Sequence, residues 1–289
     1  MQLNTIPRLP ADTFLSLMQV FKKHGWEIPA EDAGYENRFN RFCQRLSLLD
    51  ADEQDLVIEL TRNFTVISGN DYLQFLIGLL NRINEDQVEL FKKTNKFFVF
   101  PLLAPQDFKR IKSSTCVWYS FRSESIKYNP VFLEKDLIFC DITKASWVDN
   151  IKPNQAVILL DDYIGSGETA ISAIEWFMKC HNVPPKQIVI ISIAAQEIGI
   201  QQVQDKMGVA VFSSLHFKRG ISDYYVGEQL DTYTRIMTRI ENKLNVADKD
   251  RFGYNQSEAL ISLIRTPNNT FPVFWKTYGK NKIVPFPRD

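Results

Sequence analysis

Two adjacent carboxylates, Asp161 and Asp162, precede a turn that carries glycines and hydroxyl side chains. The turn and the residues after it are Gly165, Ser166, Gly167, Glu168 and Thr169. Glycines let successive backbone amides point inward, and the start of a helix adds free N–H donors and a positive dipole end. Such a loop suits one dianionic phosphate, whereas carboxylates repel phosphate but accept hydrogen bonds from vicinal sugar hydroxyls. The segment therefore predicts a site for a 5′-phosphorylated ribose.

The two acids are expected to have different tasks. Neighbouring residues of a strand point to opposite sides unless the strand turns. One acid then grips the sugar, and the other orients the loop or a hydrated metal. Mg²⁺ is the expected cofactor because it bridges phosphates and needs few protein ligands. Direct metal ligands are not predicted, although Asp161 and Asp162 could contact the ion through water.

Two other interpretations of this segment remain. An apolar strand that ends in Asp-Asp is similar to the second acidic motif of P-loop NTPases, but the chain has no GxxxxGK[ST] sequence. Alternatively, the segment is only a tight strand–helix turn with Asp162 as a cap. The complete string of acids, glycines and hydroxyls favours the phosphate site.

The elements that would position these residues follow from apolar patterning. Short apolar runs predict strands at 97–100, 116–119, 137–140, 156–160, 188–195 and 209–212. Unbroken apolar strands indicate burial on both faces, hence a mainly parallel sheet. Helices are predicted at 169–180 and 228–244. We therefore expect an α/β, Rossmann-like domain over residues 96–289, in which ligands bind at the carboxyl ends of strands.

Residues 1–95 have the apolar spacing of amphipathic helices rather than of strands. Each run of helically spaced apolar residues is separated from the next by residues that interrupt helices. Asp50 and Asp52 are expected helix N-caps. We expect an N-terminal helical region that packs on its own core. A bundle that docks a partner protein is the alternative.

Composition excludes several classes of protein. Lys+Arg and Asp+Glu both total 34, and this balance gives no indication of direct nucleic-acid binding. The sequence shows no signal peptide and no apolar run long enough to cross a bilayer. Of the four cysteines, which are widely spread, three lie in apolar stretches and are expected to be buried free thiols. A cytoplasmic location is expected.

The string from Val157 to Ala170 resembles the phosphoribosyl-pyrophosphate (PRPP) loop of type I phosphoribosyltransferases. The resemblance implies that Asp161 and Asp162 are the catalytic, ribose-contacting acids and that residues 165–169 bind the 5′-phosphate. Most such enzymes have a threonine-rich loop, whereas this chain has Gly-Ser-Gly-Glu-Thr.

Three further segments are similar to a divergent branch of the same family that accompanies bacterial conflict systems, including retron-type antiphage loci. They are 112–114, 218–223 and 267–272, the last with Trp275. This likeness implies a role in antiphage defence, with a reverse transcriptase and its nucleic acid as potential partners.

Pyrophosphate and base contacts are the least specific predictions. Lys112 with Ser113, and Lys218 with Arg219, are candidates for the pyrophosphate, since phosphoryl oxygens need cations. Each basic residue is alternatively a solvated surface charge. Asn269 is a candidate base contact, or else part of a turn that satisfies its own backbone.

The resemblance and the residues leave two main functions open. The first is an enzyme that transfers the ribose 5-phosphate of PRPP, or cleaves a nucleotide's glycosidic bond. The second is a non-catalytic module that senses a nucleotide and docks a partner protein. A scaffold with a vestigial site is a third possibility.

Overall fold

The structure, a computed structural model, describes residues 9–29, 34, 37–279 and 282–288. Its helices are α1 (Ala11–His24), α2 (Arg38–Leu46), α3 (Ala51–Thr61), α4 (Tyr72–Glu85), α5 (Glu89–Lys93), α6 (Ser114–Ser120), α7 (Glu124–Lys127), α8 (Glu168–His181), α9 (Glu197–Met207) and α10 (Gly227–Lys243). Its strands are β1 (Thr65–Val66), β2 (Lys96–Pro101), β3 (Asp136–Phe139), β4 (Gln155–Ile164), β5 (Ile188–Gln196), β6 (Ala210–Phe217) and β7 (Ile261–Ser262). None of the described helices has the length and apolarity of a transmembrane span.

The chain forms two compact units, which we call the sheet unit (Ile67–Phe217) and the split unit (Met1–Val66 with Lys218–Asp289). These units do not follow the predicted division at residue 95. Helix α4 packs against β5 and β6, so it belongs with the sheet. The predicted C-terminal helix and the tail belong instead with the first helices of the chain.

The sheet unit contains five parallel strands in the order β3-β2-β4-β5-β6, with β4 in the middle. Every residue of β5 is buried, as expected for a strand covered on both faces. Helix α8 turns Ala170, Ala173, Ile174 and Phe177 inward. The predicted α/β, Rossmann-like fold with a mainly parallel sheet is confirmed.

The predicted strand at 116–119 is wrong, because these residues form most of α6. A buried strand needs apolar contact on both faces, but here only Val117 is buried. Tyr119 is 74% exposed, and Cys116 is exposed as well. Phe121, four residues after Val117, is also buried, which is the spacing of one helical face.

All four cysteines are free thiols, and the burial prediction is only partly right. Cys43 and Cys140 are buried, whereas Cys116 and Cys180 are exposed.

The split unit has an aromatic core to which both ends of the chain contribute. Phe64, at the end of the N-terminal helices, stacks on Phe286 with ring centroids 4.3 Å apart. Asp50 begins α3 as predicted, and its backbone N–H is held by the Glu53 carboxylate at 2.9 Å. The apolar faces of α1–α3 are therefore used within this unit, together with α10 and the C-terminal segment.

Candidate functional site

The acid pair lies within β4 near its carboxyl end. Pairing between β2 and β4 stops at Pro101 opposite Leu160, one residue before Asp161. Pairing with β5 continues to Ile164, so the strand does not end at the acids as the sequence suggested. Beyond Leu160, β4 has a paired neighbour only on its β5 side. The acids consequently stand at the edge where parallel α/β sheets bind ligands.

Asp162 is almost enclosed, with an exposed fraction of 4%. Tyr72 donates its hydroxyl to Oδ2 of Asp162 at 3.1 Å, and Ser113 donates its hydroxyl to Oδ1 at 2.6 Å. Both carboxylate oxygens therefore have a protein donor. Tyr72 is the first residue of α4 and is 1% exposed. Sequence reasoning placed it in an apolar helical stripe, and no local signal links it to Asp162.

Asp161 is only partly buried and has a different environment. Its Oδ1 accepts the backbone N–H of Asp162 at 2.9 Å. Burial raises the pKa of Asp161 well above its usual range, and the charge and carboxyl contact of Asp162 raise it further. The positive charge of Lys112 acts in the opposite direction on this pKa. Asp161 is thus the more exposed acid of the pair, and it holds a proton more firmly than an aspartate in water does.

The connection between β2 and α6 carries Lys112 and Ser113 close to the pair, and their contact with pyrophosphate stays a prediction. The Lys112 ammonium lies 3.1 Å from the carboxylate of Asp107, which is itself 7% exposed. Lys112 is close enough to Asp161 to lower its pKa, while the neighbouring Ser113 bonds Asp162. Two adjacent residues of one loop therefore serve the two different acids.

The predicted phosphate loop leads directly into α8. Gly167 is the N-cap of the helix, with φ 83°, and as a glycine it has no side chain that could cap the helix. The first intrahelical bond to Gly167 runs from the N–H of Ile171 at 2.9 Å. The N–H groups before Ile171 in the first turn have no acceptor within the helix, as at any helix N-terminus. This end of α8 is electrostatically suited to an anion.

Exposure differs along the loop. Gly165, Ser166 and Gly167 are buried, whereas Glu168 and Thr169 are exposed. Ser166 retains 9% of its surface. The exposed part of the loop is therefore the first turn of α8.

Helix α9 closes one side of this loop, a feature that sequence reasoning missed. A methyl group on Gly199 would lie 2.0 Å from the carbonyl oxygen of Gly165. A methyl group on Gly167 would lie 2.9 Å from the carbonyl oxygen of Gly199 and 3.2 Å from Val203. Both glycines are needed for this close approach, and Gly167 also for its positive φ. The sequence feature that could have indicated this contact was Gly199, a glycine just inside the helix that follows β5.

Three of the predicted contacts belong to the split unit. Arg219 donates from Nε and Nη2 to Oδ1 of Asp223 at 3.0 and 2.7 Å, and this bond raises the pKa of the guanidinium. Lys218 is exposed. Asn269 is 8% exposed and donates its amide to Ser257 Oγ at 3.0 Å and to the Tyr254 carbonyl at 3.3 Å. Asn269 thus has the turn-stabilising role that the sequence left open as its alternative.

The arrangement suits Mg²⁺ only together with a phosphate ligand. Among the described residues, no three His, Cys, Asp or Glu side chains converge to hold a metal ion. Asp162 is nearly enclosed, so Asp161 is the acid that a metal-bound water could reach more easily. The ligand's own oxygens would supply most of the coordination.

A parallel sheet whose middle strand carries an acid pair, followed by a glycine loop at a helix start, defines a phosphoribosyltransferase-like fold. Residues 40–287 match the PRTase-CE family, and the chain belongs to this family. No curated protein matches the chain significantly. Among the solved structures that the chain matches is a hypothetical protein from Neisseria gonorrhoeae with bound ppGpp, at 12% identity and a TM-score of 0.33. The match covers 61% of this chain and 97% of that one.

Proposed function

We propose that this protein binds PRPP, or a nucleotide that contains ribose 5-phosphate, at the carboxyl end of β4. The observation that carries the proposal is the continuity of the acid pair with the start of α8. The partly exposed Asp161 supports binding of sugar hydroxyls, and the N–H groups of the first turn of α8 support binding of a phosphate. Both features lie on one segment, within nine residues of Asp161.

The proposed reaction is transfer of the ribose 5-phosphate to a nitrogen acceptor. The bond from C1 to the pyrophosphate oxygen breaks, and pyrophosphate leaves with the electron pair. A C1–N bond forms, and the acceptor nitrogen loses its proton. Such a step passes through an oxocarbenium-like state, so positioning and charge stabilisation dominate over a strong base. Lys112, whose charge acts on Asp161, could stabilise the departing pyrophosphate, and bound Mg²⁺ would neutralise further phosphate charge.

The test is release of pyrophosphate from PRPP with Mg²⁺ and a panel of bases and nucleotides. We expect release by the wild-type protein and its loss in Asp161→Asn. Asp231→Asn, a charge change at an exposed position of α10, is the matched control and should retain activity. Absence of both release and binding in the wild-type protein would contradict the proposal.

A non-catalytic nucleotide sensor is the second candidate, and the enclosure of the site favours it. Asp162 is held by two protein donors, and one side of the loop is closed by α9. A sensor would show saturable nucleotide binding without turnover. A hundredfold excess of ligand over its Kd should then add about 2.7 kcal/mol of stability, a gain visible by thermal unfolding.

We propose a defence role from the likeness to conflict-associated relatives. In that role, a reverse transcriptase with its nucleic acid would be the partner. The test compares phage plaque formation on cells that carry the complete locus with the wild-type or the Asp161→Asn protein. Equal protection by the two proteins would show that defence does not depend on Asp161.

A further inference from the structure

The two carboxylates of the acid pair have unequal surroundings. Asp162 is 4% exposed, and each of its oxygens accepts a hydroxyl hydrogen bond. Asp161 is more exposed and accepts the N–H of Asp162. The carboxyl group of Asp161 also lies against that of Asp162. Because Asp162 is nearly enclosed and Tyr72 and Ser113 lie against its two oxygens, a sugar hydroxyl has little access to it.

We propose that Asp162 is a positioning residue, that Tyr72 and Ser113 hold it, and that Asp161 alone of the pair contacts the sugar hydroxyls. This inference rests on the proposed function. Within that binding site, it assigns ligand contact to one acid and support to the other. It adds Tyr72, a residue outside the motif and 90 positions away from Asp162, to the groups that determine ligand affinity.

The hydrogen bonds form a chain that ends at the ligand-facing acid. Tyr72 and Ser113 fix the carboxylate of Asp162 from two sides. The backbone N–H of the same residue then fixes Oδ1 of Asp161. An ionised carboxylate can accept both vicinal hydroxyls of a ribose, so one correctly oriented acid is sufficient. Orientation through supporting hydrogen bonds is the usual way in which a binding group is pre-organised.

The same bonds also position the proposed pyrophosphate contact. Ser113 follows Lys112 directly, so its bond to Asp162 restricts the loop that carries the ammonium. On its other side, Lys112 is paired with Asp107. Loss of the Ser113 hydroxyl should consequently affect ligands with a pyrophosphate more than those without one.

The experiment measures the Kd for PRPP with Mg²⁺ by calorimetry in single and double variants. Asp161→Asn should weaken binding about 100-fold, the loss of two hydrogen bonds to a charged group. Tyr72→Phe and Ser113→Ala should each weaken it about tenfold. Ser113→Thr, which keeps the hydroxyl, should restore most of the affinity. Ser123→Ala removes a buried hydroxyl without a partner and should bind as the wild type does.

A double-mutant cycle separates positioning from general destabilisation. In the Asp162→Asn background, Tyr72→Phe should cost little further affinity, because the acid that it orients has already been changed. Full additivity of the two changes would overturn the positioning role. The positioning role would also be overturned if Asp162→Asn lost binding as completely as Asp161→Asn while Tyr72→Phe bound PRPP as the wild type does. If the wild type binds neither PRPP nor any nucleotide tested, the proposed function fails as well, whereas normal binding with an additive cycle removes only this inference.

Discussion

Gly199 faces Gly165 so closely that a methyl group on Gly199 would lie 2.0 Å from the Gly165 carbonyl oxygen. This contact joins the helix after β5 to the loop after β4. The atom that would clash belongs to the backbone, so no side chain can rotate to relieve it. The loop conformation is therefore coupled to the identity of one residue on the neighbouring connection.

Gly199→Ala should displace the loop and lower both stability and ligand binding. A contact of this kind cannot be relieved without backbone movement, and overpacking typically costs about 1–3 kcal/mol. Gly78→Ala is the matched control, because it is also a glycine inside a helix but has open space around it. The control should stabilise by up to about 1 kcal/mol through helix propensity. Thermal unfolding and PRPP titration measure the two effects, and equal behaviour of both variants would contradict the role of the contact.

Asp161→Asn should stabilise the ligand-free protein at pH 7 while it weakens ligand binding. The pKa of Asp161 is raised by burial and by Asp162, so its ionisation opposes folding. Stability from this group is present below its unfolded pKa and is lost as pH rises through the raised folded pKa. The Asn variant should lack this loss, so the difference in Tm between the two proteins should grow with pH. About 1 kcal/mol corresponds to roughly 2–4 °C at this chain size. A Tm difference that is independent of pH would contradict the raised pKa of Asp161.

The split unit should lose stability between pH 5 and pH 8 because of Glu241. This side chain is fully buried on α10, and burial raises its pKa from 4.5 to about 7, with a smaller contribution from Glu258. The folded state holds the proton more strongly than the unfolded state, so stability is present at low pH and is lost as pH rises past about 7. The full loss in the free energy of unfolding is on the order of 3 kcal/mol.

Glu241→Gln tests this dependence by denaturant unfolding at several pH values. Glutamine keeps an acceptor for the N–H of Phe252, which Glu241 Oε1 now accepts at 2.7 Å. The variant should match the wild type near pH 5 and exceed it at pH 8. Glu228→Gln, at an exposed position of the same helix, should follow the wild type at every pH. A parallel decline of both variants would assign the pH dependence to other groups.

Lys112→Ala should weaken binding of PRPP more than binding of ribose 5-phosphate. The ammonium is the proposed pyrophosphate contact, and one charge-assisted hydrogen bond corresponds to about a tenfold change in Kd. Lys109→Ala removes an exposed cation from the same loop and should have little effect on either ligand. Equal losses for both ligands would show that Lys112 acts through Asp161 instead.

The strands that are buried on both faces were predictable, because their apolar runs have no other stable placement. β2, β4 and β5 contain the predicted runs, and α8 was identified by its inward stripe. β3 and β6, which are less buried, overlap the runs at 137–140 and 209–212. The run at 116–119 misled because a four-residue apolar segment does not distinguish one turn of helix from a short strand.

At the site, the local motif was visible, but its supports were not. Asp161, Asp162 and the loop are continuous in sequence, and Lys112 with Ser113 could be proposed from residue type. Tyr72 reaches Asp162 across 90 residues, and an apolar helical stripe gives no sign of a hydroxyl used in hydrogen bonding. The unit boundaries were also hidden, since the core that joins Phe64 to Phe286 depends on packing between distant segments.

The split unit is built from two distant parts of the chain, and this affects how the chain folds during its synthesis. Chains generally fold domain by domain from the N-terminus as they are made. Here Phe64 leaves the ribosome before the sheet unit, whereas its partners Phe274 and Phe286 leave after that unit. The residues between them can complete their sheet while the apolar faces of α1–α3 still lack their final cover. Any species arrested before residue 218 should therefore expose those faces and need a chaperone to stay unaggregated.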